Sequence, residues 1–150
     1  MDISKNSNLV FGACKVFLVP VEDVLAVSAG ADRYHQAVAL KEGKAWTEIY
    51  FTPGTAEIGE KPKDTDSGLL YEQMLKFELP GEDESLLSLL DKFASHPLLV
   101  KVQFSNVLSK LFGGMENGAK LTPTYQVSSK SSGYLLEFSC QATQKSCWMA

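Results

Sequence analysis

The chain has 150 residues, 45% of them hydrophobic, with 14 basic and 18 acidic side chains and a net charge of −4. That length suits one domain, able to bury roughly 68–70% of its unfolded surface without staples. The acidic balance excludes the overall basic footprint of a nucleic-acid binder, and no stretch approaches the roughly 18 apolar residues of a membrane-spanning helix. No direct nucleic-acid binding and no membrane partner are therefore expected.

Residues 1–8 are polar and expected to fray, which leaves 9–150 as a single β-rich domain. "LVFGACKVFLV" (9–19) has a period of two, with Val10, Gly12, Cys14, Val16 and Leu18 on one face. Pro20 interrupts its apolar run and Lys5 and Lys15 are offset by acids, so it does not read as a signal peptide and a cytoplasmic location is expected. "VEDVLAVSAGADRYHQAVAL" suggests a short helical turn, a break at Gly30 and a strand into Leu40, and "KEGK" is a turn signal. "AWTEIYF" (45–51) alternates as a strand, "TPG" breaks it, and "TAEIGE" opens another.

Next comes "KPKDTDSG", read as an exposed connection between strands. Its Asp-x-Asp-x-Gly spacing (Asp64, Asp66, Gly68) resembles the start of a calcium loop, but the sixth and twelfth positions, where that loop needs Gly and Glu, hold Leu69 and Leu75. Lys61 and Lys63 would also repel a cation. "LYEQMLKFEL" (70–79) puts Tyr71, Leu75, Phe77 and Leu79 on one face and Glu72, Lys76 and Glu78 on the other, with Met74 on the polar side.

The best helix lies at about 82–95. Glu82, Asp83 and Glu84 suit the positive end of its dipole, Leu86, Leu90 and Phe93 make its apolar face, and Lys92, His96 and Pro97 mark its end. "LLVKVQFS" (98–105) follows as a strand with Leu98, Val100, Val102 and Phe104 inward. "KLFGGMENGAK" reads as a Gly-rich loop, and "LTPTYQV" and "YLLEFSCQA" flank "SSKSSG" as a hairpin. The tail "TQKSCWMA" carries Trp148 and Met149, whose apolar tips need a place to pack, on this domain or on another subunit. The sum is six to eight strands and one helix: an α+β, mainly β, antiparallel sandwich or half-open barrel with one packed helix.

No catalytic, metal or cofactor constellation emerges. Cys14, Cys140 and Cys147 are odd in number and lack a zinc spacing, which favours free thiols. His35 and His96 have no context tying them to a cysteine nucleophile, and no serine sits in a nucleophile elbow. An alternative to a structural role is a small-ligand-binding or adaptor β-barrel domain, its pocket lined by Trp46, Tyr50, Phe77, Phe104 and Phe138.

Residues from about 45 to 142 resemble phage or prophage virion proteins of the tail-tube or tail-completion kind, most closely those of Bacteroidetes prophages. The resemblance rests on "WTEIYFTPGTAEIGEKPKDTDSGLLYEQMLKFELPGED", the helix after it, "PLLVKVQFSNVLSKLFGG" and the closing hairpin "TYQVSSKSSGYLLEFSCQA". It implies a non-enzymatic, self-assembling tail subunit (tube, terminator or completion) without a cofactor. Its partners would be copies of itself in a ring or tube and other virion tail proteins, in the bacterial cytoplasm during assembly and then in the virion. Lys61, Lys63, Asp64, Thr65, Asp66 and Ser67 would form the loop reaching a neighbour, Trp148 and Met149 a terminal contact, and the Glu72, Lys76, Glu78 face would suit an aqueous lumen.

Overall fold

The computed structural model describes residues 13–29, 35–52, 55–80, 84–104, 109–114, 118–127, 132–142 and 147–149. The polar N-terminus, the Gly30 break, the "TPG" break, Glu82 and Asp83 of the helix start, and the centre of the "SSKSSG" turn lie outside them. In chain order the strands are β1 (Ala13–Pro20), β2 (Val24–Ala29), β3 (His35–Leu40), β4 (Thr47–Ile49), β5 (Glu57–Thr65) and β6 (Gly68–Pro80). After the helix α1 (Glu84–Ala94) come β7 (Leu98–Phe104), β8 (Ser109–Phe112), β9 (Lys120–Val127), β10 (Ser132–Ala142) and β11 (Cys147–Met149). A 3-10 turn, Val21–Asp23, links β1 to β2.

The protein is mainly β, with antiparallel sheets and one helix, as its alternation predicts. One sheet has the order β2-β3-β11-β8-β7-β1-β4 and the other β5-β6-β10-β9. All pairs are antiparallel except β11 with β3. The sheets face each other across a core of Val16, Leu18, Val100 and Val102 on one side and Leu75, Phe77, Leu136 and Phe138 on the other. Leu90 and Phe93 bring α1 onto its margin. Phe77 stacks on Phe138 at 5.7 Å between ring centroids, a spacing typical of aromatic pairs. The helix ends where its sequence says it should: Ser95 Oγ donates to the carbonyls of Asp91 and Lys92, and Pro97 follows.

Among the described residues three strands exceed the sequence reading. Val24–Ala29, read as part of a short helical turn, is β2; β8 (Ser109–Phe112) takes in residues 110–112 of the stretch read as loop; and the tail forms β11 between β8 and β3. Glycine clusters obscure β8. Gly118 is one such glycine: a Cβ there would lie 2.6 Å from Pro97 Cβ, so the residue serves close backbone approach. That approach permits the reciprocal hydrogen bonds between Leu98 and Ala119, 2.9 and 2.7 Å, that tie the start of β7 to the lead-in of β9.

The seven-stranded sheet also curls. β1 and β2 are adjacent in sequence yet lie six and one in the strand order, and Val19 and Val24 nevertheless share a cluster with Leu99 and Leu111. β2 and β3 thus cover the far face of β1, β7 and β8, packing Val27, Val38 and Leu40 with Trp46 around a second, smaller core.

Candidate assembly surface

The stretch read as a long connection is a β-hairpin. Lys61, Lys63, Asp64 and Thr65 belong to β5, paired with Glu72, Leu70, Leu69 and Gly68 of β6, and only Asp66 and Ser67 form the turn. The expectation of a loose loop is corrected here, and the reason is chemical. Pro62 and the charges look like strand breakers, but β5 is an edge strand, where proline is tolerated. The lysines find a cross-strand partner: Glu72 lies 3.6 Å from Lys61 Nζ and 3.3 Å from Lys63 Nζ, while Lys76 reaches Glu57 at 3.3 Å. At the turn Thr65 Oγ1 donates to the Gly68 carbonyl at 2.6 Å, and Gly68 holds φ +118°, a conformation side chains avoid.

The hairpin outruns its sheet. Among the described residues β10 pairs with β6 only between Pro80 and Tyr71, so the pairs Lys63–Leu70, Asp64–Leu69 and Thr65–Gly68 extend past its described end by about 10 Å at 3.3 Å per residue. Leu69 on this prong is 47% exposed. The outer face of the same sheet is polar, with Glu57, Lys76 and Glu137 in one cross-strand row and Lys61, Glu72 and Gln141 in another. Met74 lies on it, 41% exposed.

Gln73 anchors the base of the prong. Only 4% exposed, it donates from Nε2 to Glu60 at 2.9 Å, while its Oε1 accepts from the Cys140 thiol at 2.9 Å and the Gly113 N–H at 3.4 Å. One side chain thus joins β5, β10 and the end of β8. Burial chiefly pushes the Cys140 thiol up to about 11, the Gly113 N–H opposing and the Glu60 charge adding to the effect. Such a thiol is protonated and inert at neutral pH. Gln73 is absent from the expected apolar face of "LYEQMLKFEL"; its place between Tyr71 and Leu75 at a spacing of two is the signal that could have found it.

Trp148 and Met149 are held by their own chain through the backbone. Trp148 pairs with Lys110 of β8 and with His35 of β3, and Met149 with Gln36. The C-terminal strand is internal to its sheet rather than a free tail; the two side chains lie outside the described residues.

The five aromatics expected around a ligand pocket do not converge. Phe77 and Phe138 fill the main core with Phe104 against it, Trp46 belongs to the smaller core, and Tyr50 is 80% exposed. The crevice beside Gln73, Phe112, Phe138 and Cys140 is too narrow to admit water. On the other side of the sheet Lys101 Nζ sits 4.4 Å from the Phe17 ring centroid and 4.8 Å from that of Trp46. Burial lowers its pKa, while the rings favour the cation. Among the described residues no group of three or more His, Cys, Asp or Glu could hold a metal ion, and no helix is long and apolar enough to cross a membrane.

Compared with protein families, characterised proteins and solved structures, the chain has no match in any of the three.

Proposed function

We propose that this chain is a non-enzymatic structural subunit of a phage or prophage tail, a tube, terminator or completion component that assembles with copies of itself and with other tail proteins. The observation that carries the reading is the prong: three residue pairs of the β5–β6 hairpin stand beyond the described part of their sheet with Leu69 exposed at the end. An exposed apolar extension of this kind is a liability in a monomer and useful where a neighbour covers it. Because Glu72 already ties Lys61 and Lys63 across the strands, the prong is ordered before contact. Docking it therefore loses less conformational entropy than ordering a loose loop would. The polar outer face of the four-stranded sheet suits an aqueous lumen, and the resemblance in residues 45–142 points the same way.

Negative-stain electron microscopy and light scattering up to millimolar concentration test this. Rings, tubes or higher oligomers are expected, and Leu69→Asp should abolish them with an unchanged melting curve. A wild-type protein that stays strictly monomeric, and whose gene can carry Leu69→Asp without loss of tailed particles, would sink the reading.

A further inference from the structure

We infer that the free edge of β2 pairs with the β2 edge of a second copy, joining two chains about a twofold axis. The inference stands apart from the virion reading, because it follows from the chemistry of the sheet edges.

Among the described residues the two sheets end in four edges: β5 and β9 on one, β2 and β4 on the other. An edge strand offers unpaired N–H and C=O groups, and sheets blunt such edges with proline, lysine, bulges or shortness. β5 carries Pro62 between Lys61 and Lys63, and β9 carries Lys120 and Pro123. β4 has only three residues, and self-pairing there would set Glu48 against Glu48. β2, "VLAVSA", has neither a proline nor a charge. Leu25 is 64% exposed, and Ala26 and Ser28 are exposed as well.

The geometry of β2 narrows the pairing. Its register against β3 shifts between Val24 and Ala26, so a bulge turns the upstream end away. From Ala26 to Ala29 the ladder is regular. Antiparallel pairing about a twofold axis sets one residue against its own copy; centred on Ser28, it sets Ser28 opposite Ser28 and Val27 opposite Ala29 of the other copy. No charge meets a like charge and no proline interrupts the ladder. Pairing β2 with β4 of the other copy would offer three residues and include Glu48. The self-complementary choice is also the isologous one, which closes at two copies. With so short a ladder the dimer is weak and concentration-dependent.

Sedimentation equilibrium of the full chain from micromolar to millimolar concentration is the test, run beside amide exchange of residues 26–29. A monomer–dimer equilibrium is expected, with these amides protected as concentration rises. Ser28→Lys places two lysines side by side across the twofold axis and should weaken the dimer by about tenfold or more, while Ser28→Thr should keep it. If Ser28→Lys fails to fold by circular dichroism, Ala26→Lys blunts the same edge with a charge two residues away and should weaken the dimer as well. A monomer at every concentration would overturn the inference. So would oligomers that both lysine variants leave intact but Leu69→Asp abolishes, since those belong to the hairpin. Protection in a monomer that vanishes when residues 1–12 are deleted would overturn it as well, by showing that the chain covers its own edge.

Discussion

The two hydrophobic clusters share strands but are built differently. β1 and β7 each bury both faces: Val16, Leu18, Val100 and Val102 look into the main core, Val19 and Leu99 into the smaller one. The main core is closed by a second sheet and a helix. The smaller one is covered by the β2–β3 pair and shares its side of the sheet with the half-buried amine of Lys101, between Phe17 and Trp46. The contrast teaches that one face of this sheet sets global stability, whereas the other is closed by a unit able to open locally. Phe77→Ala should cost about 3–5 kcal/mol in urea denaturation, the range for an aromatic lost from a core. Val24→Ala should cost about 1–2 kcal/mol, for the methyl groups removed. Amides of β2 and β3 should exchange through local opening, those of β6 and β10 only with global unfolding. Equal exchange free energies for the two sets would erase the distinction.

A second comparison sets the apolar main core against Gln73, the buried polar residue among those described. Gln73→Ala should destabilise by about 1–3 kcal/mol, because the Gly113 N–H and the Cys140 thiol lose a shared acceptor. Since Gln73 also holds Glu60, exchange at the base of the prong should rise in this variant. The thiol gives an independent readout. With Cys140 pushed to about 11 from an ordinary 9.0, its thiolate fraction at pH 8 falls about a hundredfold, and alkylation should slow in proportion. The sign for stability follows. An unfolded chain loses this proton first, so between pH 9 and 11 rising pH favours unfolding; Cys140→Ser should flatten that part of the profile. Alkylation of Cys140 in the folded protein at the rate of a free thiol would contradict the buried geometry.

Much of this was legible. Alternation in 70–79 and 98–105 identified the inward residues of β6 and β7, and the acids, leucines and Pro97 located α1. What the sequence hid had physical causes. β8 is four residues beside glycines that serve close packing, and β11 is three, so neither is long enough to display a period. Leu99 and Val19 looked like the outward half of an alternation because the covering pair, β2–β3, comes from an ambiguous segment. The second half of β5, from Lys61 on, was concealed by Pro62 and its charges, which leave no apolar alternation to announce it, and its support, Glu72, lies across the turn on β6.

That last point yields the smallest stability effect and a sharp test of the prong. Lys61 and Lys63 make exposed ion pairs with one carboxylate, and such pairs contribute about 0.2–1 kcal/mol each. Replacing both, Lys61→Glu with Lys63→Glu, should therefore lower the melting temperature by only a few degrees, about 2–4 °C per kcal/mol for a chain of this length. Assembly should respond quite differently. The substitution sets three acids side by side on the outer face at the foot of the prong, and a neighbouring copy would meet that reversed field at each contact. If the prong is a docking element, the double variant should lose oligomers at concentrations where its fold is intact. A variant that melts a few degrees lower yet assembles like the wild type would leave the lysines with only their cross-strand role, keeping an edge strand with a proline in register.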